Sequence, residues 1–165
     1  MKLAEAPSLA GLPQWYIETQ LEKFQDRVRG DHPDDVMGLR MAPMSRTLRS
    51  DEDLSAVAAY IASLPAHTPE PLLDGGDPER GKQFFTTTCV ACHGPDAMGN
   101  QQMSAPPLRY ASDWYLHRTL GKFRAGIRGA DPADAQGALM RPMSLTLPDE
   151  QALKDVVAYI HSLSE

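Results

Sequence analysis

Cys89-Val90-Ala91-Cys92-His93, the chain's two cysteines with a histidine directly behind them, sets the chemistry around which the rest must be arranged. Thiols three positions apart lie on about one helical turn. From there both can reach the vinyl groups along one edge of a porphyrin, and the adjacent histidine brings an imidazole nitrogen under the iron. This is the attachment sequence of c-type haem. A zinc site would need a second ligand pair, and His32, His67, His117 and His161 are not closely paired. A thioredoxin-like dithiol belongs between a strand and a helix of a βαβ unit, and no strand pattern of useful length occurs. With only two residues between the thiols, a plain structural disulfide is a poor explanation.

Working outward, the pattern is helical on both sides. Asp77 is a candidate N-cap with Pro78 at the first helical position, predicting a helix to about Thr88. Asp113 predicts the cap of a helix from Trp114 to about Arg128. Its apolar positions are Tyr115, Leu116, Leu120, Phe123 and Ile127, with Gly129 as its end. The last helix begins near Asp149 and carries one apolar stripe, Leu153, Val156, Val157 and Ile160. The fold class is all-α. A sixth iron ligand is expected downstream of the motif, and methionine is the soft donor that raises the potential of a histidine-ligated haem. The candidates are Met98, Met103, Met140 and Met143. The stretch 139–143 is expected as a loop over the distal face, with Met98 and Met103 near the haem edge or on the surface.

These residues resemble class I cytochromes c, most closely the cytochrome c4 type, in which two such units stand in tandem. Gly81 and Phe85, eight and four residues before Cys89, match the family's first-helix positions that cross the last helix, and Tyr159 matches the aromatic of that last helix. The resemblance implies that the Pro106 carbonyl, in Ala105-Pro106-Pro107-Leu108, accepts a hydrogen bond from the ligating imidazole. It also implies that Met140, seven residues before Leu147, is the axial ligand, with Met143 as the alternative. His93 and one methionine would then hold the iron of one covalent haem c. Cys89 and Cys92 would attach it, and Pro106, Leu108, Trp114, Tyr115 and Phe123 would contribute to the pocket and core. The implied function is single-electron transfer between respiratory partners such as a quinol-oxidising complex and a terminal oxidase. A haem-dependent oxidoreductase and a structural redox subunit of a larger complex are the rivals. Covalent attachment of haem places the protein in the periplasm, or on the exterior-facing side of the inner membrane.

The chain also repeats itself. Residues 6–64 align without a gap on residues 105–163, with roughly 26 of 59 positions identical. Trp15-Tyr16 match Trp114-Tyr115, Phe24 matches Phe123, Arg29-Gly30 match Arg128-Gly129, and Met41 and Met44 match Met140 and Met143. The second copy is preceded by the cysteine motif; the first is not. The expected organisation is a partial cytochrome c-like repeat over 1–65, a proline- and glycine-rich linker over 66–76, and a complete mono-haem domain over 77–165. Three readings of the first copy compete: a truncated haem domain, a haem-less scaffold, and a half completed by another chain or by self-association. Copper held by Met37, Met41, Met44 and His32 is conceivable, but core and surface methionines explain the same residues more cheaply.

Composition narrows the field of partners. The net charge of −6 argues against nucleic acid, which wants a basic face. No apolar run approaches the roughly 18 residues of a membrane span. Residues 1–7 lack the apolar core of a secretion signal. Aromatics are only 7% of the chain, so a large planar cofactor would supply core that the side chains do not.

Overall fold

The repeat becomes two matching sets of three helices in the computed structural model, which describes residues 6–164. The first set is α1 (Gln14–Gln25), α2 (Val36–Ser45) and α3 (Asp51–Ala62). Between the sets lie α4 (Pro78–Phe84), a π-helical turn (Phe85–Cys89), α5 (Val90–His93) and a short 3-10 turn (Gln101–Met103). The second set is α6 (Asp113–Arg124), α7 (Ala135–Leu145) and α8 (Glu150–Ser162). Among the described residues, one antiparallel bridge, Asn100 to Ala105, is the only strand-like pairing.

The core sits where α4 crosses α8. Asp77 caps α4 by accepting from the backbone of Glu79 and Arg80, with Pro78 in the first turn, as its sequence predicts. At the crossing Gly81 lies against the α8 backbone, where a methyl group would run into the Asp155 carbonyl. Phe85 is fully buried with Leu153, Val156, Val157 and Ile160, the apolar stripe of α8. Its ring meets that of Tyr159 at 5.4 Å. Each such side chain contributes about 1.5–3 kcal/mol by leaving water. Asp155 is itself fully buried and accepts hydrogen bonds from Asp77 N, Gln151 Nε2 and Arg80 Nε at 2.7–2.9 Å.

The first set lacks this cover. A small core of Ile17, Leu21, Leu54 and Ala58 holds α1 to α3. Val57, the counterpart of the 1%-exposed Val156, is 37% exposed, and Tyr60 is 67% exposed.

Three local expectations are corrected. α6 ends at Arg124, four residues before Arg128, because Gly126 takes the left-handed conformation (φ 71°). Ile127 N then bonds Lys122 O and Gly126 N bonds Phe123 O, the paired closure of a Schellman motif. Asp113 does not cap α6. It is the first helical residue, and its Oδ2 accepts from Leu72 N and Leu73 N at 2.7 Å, tying down the end of the connector. Residues 139–143 are not a loop but part of α7, which is capped by Asp134 Oδ1 accepting from Gly137 N. Pro142 lies inside that helix, whose place just before the last helix had suggested a loop.

The two sets face each other through reciprocal polar contacts. Lys23 of α1 reaches Asp134 at 2.6 Å, and its counterpart Lys122 of α6 reaches Asp35 at 2.5 Å. Arg29 donates to the Tyr115 hydroxyl, and its counterpart Arg128 donates to the Tyr16 hydroxyl. Contacts that return the same pair of positions in both directions are those of an isologous interface around a two-fold axis. Asp35 and Asp134 each do two jobs, since they also cap α2 and α7.

Candidate haem site

The attachment segment is built by a change of helical register. The π-helical turn releases carbonyls that an α-helix would engage, and Thr86 and Thr87 occupy several of them. Thr86 Oγ1 donates to Lys82 O and Thr87 Oγ1 to Gln83 O, both at 2.8 Å. Beyond the turn, α5 carries Cys92 and His93, and Gly94 stops it with φ 78°. Both cysteines are unpaired and half-buried. Burial, with Cys92 beside it, pushes the Cys89 thiol up to about 11.

A folded loop then brings the second part of the site to the histidine. Gly99 N bonds His93 O at 2.8 Å, the Asn100–Ala105 bridge closes a tight turn, and Leu108 N returns to Ala97 O. Gly99 has φ 79°, and a side chain there would meet the Ala105 and Pro106 backbone. Pro106 O thereby stands 2.9 Å from His93 Nδ1. A carbonyl can only accept, so Nδ1 carries the proton and Nε2 keeps its lone pair for a metal. Burial lowers the pKa of His93, and the Pro106 carbonyl offsets this in part, which favours the neutral imidazole required of a ligand.

Cys89, His93, Pro106, Leu108, Trp114, Tyr115, Phe123, Met140 and Met143 all line one cavity of about 680 Å³. Cys92 is not part of its wall. Met140 is half-buried, whereas Met143 is 40% exposed. Met98 and Met103 are surface residues outside this cavity. The fit to haem rests on the volume, on two thiols beside a buried neutral imidazole, and on a thioether in the wall of the same space.

Sequence reasoning passed over the polar part of that wall. Tyr16, Gln20, Lys23, Arg29, Asp35, Lys122, Arg128 and Asp134 also line the cavity. The signal was available: Tyr16, Lys23, Arg29 and Asp35 recur at Tyr115, Lys122, Arg128 and Asp134. The first copy contributes apolar wall as well, with Met41, Met44 and Val57 at the places of Met140, Met143 and Val156. Met37 also lies in this wall, whereas His32 does not and accepts instead from Asp34 N.

A covalent-haem segment, a histidine anchored on a proline carbonyl, and helices that cross at Gly81 define a c-type cytochrome of the tandem kind. The sequence model of the cytochrome c family matches residues 78–164, and the chain belongs to that family. It is 35% identical over 153 residues to a thiosulfate dehydrogenase electron acceptor of Stutzerimonas stutzeri, covering 87% of this chain and 67% of that protein. Against the cbb3-type cytochrome c oxidase subunit FixP of Bradyrhizobium diazoefficiens the identity is 30%, covering 89% of this chain and 47% of the other. The structure matches cytochrome c4 of Acidithiobacillus ferrooxidans with a TM-score of 0.73 and 25% identity, over 94% of this chain and 88% of that one. The chain thus spans two thirds or less of the length of these curated relatives. No described helix is long and apolar enough to cross a membrane.

Proposed function

We propose that the protein is a periplasmic carrier of single electrons with one haem c, attached through Cys89 and Cys92 and held axially by His93 and Met140. The observation that carries this reading is the His93 Nδ1 bond to the Pro106 carbonyl. It leaves Nε2 as the free donor on a residue that shares a cavity wall with Met140. When bound, the haem supplies a reversible one-electron couple. The chain's residues do the rest. The Pro106 carbonyl fixes the ring of His93, α6 and α8 exclude water with Phe123, Leu116, Val156 and Ile160, and α7 supplies a thioether.

Residues 77–165 form the haem-binding unit in this reading, 66–76 the linker, and 1–65 a partial unit without its own attachment motif. If His93 and Met140 both held the iron, no position would be left for a substrate, and the role would be transfer rather than bond chemistry. The net charge of −6 favours docking on a basic partner face, with rates that fall as salt rises. The relatives' names support a sulfur-compound dehydrogenase as donor or a terminal oxidase as acceptor. Intact mass and visible spectra of the purified chain test the reading. One covalent haem with a low-spin, methionine-ligated spectrum is expected. A chain without covalent haem, or with high-spin iron that quickly binds carbon monoxide, would overturn it.

A further inference from the structure

The interface between the two repeats holds more positive than negative charge, and the surplus lies in the wall of the haem cavity. Lys23 with Asp134 and Lys122 with Asp35 form two short pairs and neutralise one another. Arg29 and Arg128 have no such partner. Arg29 donates to Gln20 Oε1 at 2.6 Å and to Tyr115 Oη at 2.9 Å, and stacks over the Phe24 ring at 4.5 Å. Arg128 donates to the same Gln20 oxygen at 3.0 Å and to Tyr16 Oη at 3.4 Å, and stacks over Phe123 at 4.9 Å. None of these hydrogen-bond partners is a carboxylate; Asp35 and Asp134 act on Arg29 and Arg128 only through space, while bonded to the two lysines. Two guanidinium charges therefore stand among the described residues without a carboxylate in hydrogen-bonding reach.

Their surroundings respond to that surplus. Burial alone would push the Tyr115 hydroxyl up, but Arg29 and Arg128 beside it bring it down to about 7. A half-buried cation without a carboxylate bonded to it is costly unless an anion joins it. Both arginines line the cavity that Cys89, His93 and Met140 line. The free face of this cluster is thus the cofactor space itself.

We propose that Arg29 and Arg128 are the receptors for the two propionate carboxylates of the haem. The repeat without an attachment motif would then supply half of the charge compensation for the haem that the other repeat holds. This rests on the haem reading above, and it gives the first repeat a specific task. Arg40 and Arg118 line the cavity as well, but Arg29 and Arg128 are the two that stand at the contact between the repeats, and arginine forks suit carboxylates in particular. Arg29 and Arg128 are positioning residues here, since neither ligates the iron. A cation beside the haem also favours the ferrous state, because reduction adds negative charge. Taking one away moves the couple toward ferric.

The test is a spectroelectrochemical titration of the holoprotein as wild type, Arg29→Gln, Arg128→Gln and Arg29→Lys, at constant ionic strength. The glutamine variants keep hydrogen-bond donors for Gln20 and the tyrosines while removing the charge, which guards the fold. Each is expected to move the reduction equilibrium toward ferric about tenfold, which is about 59 mV for a one-electron couple. Arg29→Lys is expected to recover most of the shift. Wild-type potentials in both glutamine variants, with unchanged low-spin spectra, would overturn the proposal. So would a wild-type potential that follows added phosphate, because the arginines would then serve a mobile anion. A wild-type chain without covalent haem would instead defeat the functional reading, and the two failures are thereby separable.

Discussion

Met140 and Met143 lie about one turn apart on α7 and both reach the cavity wall, yet Met140 is the more enclosed of the two. Met140→Ala is therefore expected to abolish the methionine-ligated visible spectrum, while Met143→Ala keeps it; a reversed result would exchange their roles. The resemblance to class I cytochromes c, through the spacing of Met140 to Leu147, favoured Met140, although the helix that carries both methionines was not legible. Its place just before the last helix suggested a loop, and the proline within it is a residue that helix interiors disfavour. Arg27 is a second residue of interest. It ends α1 with φ 63°, a left-handed conformation that costs a side chain about 1 kcal/mol, where the second repeat has Gly126. Arg27→Gly is expected to stabilise the protein by about 1 kcal/mol in denaturant melts. The ion pair it gives up, Arg27 to Asp31 at 3.8 Å, is solvent-exposed and worth little.

Among the elements, the crossing of α4 and α8 was the most legible, because helical periodicity sets the α8 stripe and the resemblance to class I cytochromes c points to Gly81 and Phe85. What the pattern could not show was the buried carboxylate at its centre. Asp155 reads as a polar residue on an amphipathic helix, and only the packing reveals that it ties Arg80, Gln151 and the Asp77 backbone together. Burial raises its pKa, but these bonds and the Arg80 charge outweigh that and hold it below the usual carboxylate value. A carboxylate with a depressed folded pKa contributes stability in full above the unfolded value, about 3.9. That contribution is lost as the pH falls through the folded value. Asp155→Asn is expected to cost about 2 kcal/mol at pH 7, with the gap to wild type closing as the pH of the melts falls through the folded value. Gly81→Ala places a methyl on the Asp155 carbonyl, and a destabilisation of about 3 kcal/mol from overpacking is expected in the same melts. The end of α6 escaped the pattern for a different reason. Ile127 keeps the apolar spacing beyond the helix, and Gly126, read as one more helical residue, is where the chain turns.

For the molecule as a whole, the repeat was plain in the sequence and the interface was not. Alignment shows that Lys23, Asp35 and Arg29 recur, but it contains no operation that brings one copy's lysine to the other copy's aspartate. Lys122→Ala removes the partner of Asp35, which is 3% exposed, and is expected to destabilise the protein by about 3 kcal/mol in thermal or urea melts. The double variant Lys122→Ala with Asp35→Ala is expected to recover part of that loss, because no charge is then stranded; additive losses would mean that the pair is not coupled. The same reciprocal geometry has a consequence for how the halves stay together. Two separate chains with this contact would part on dilution, in proportions set by their abundance. Here the connector, fastened at Leu72 and Leu73 by Asp113, makes the encounter intramolecular, with an effective concentration on the order of millimolar. The halves therefore remain in a fixed one-to-one ratio however scarce the protein becomes.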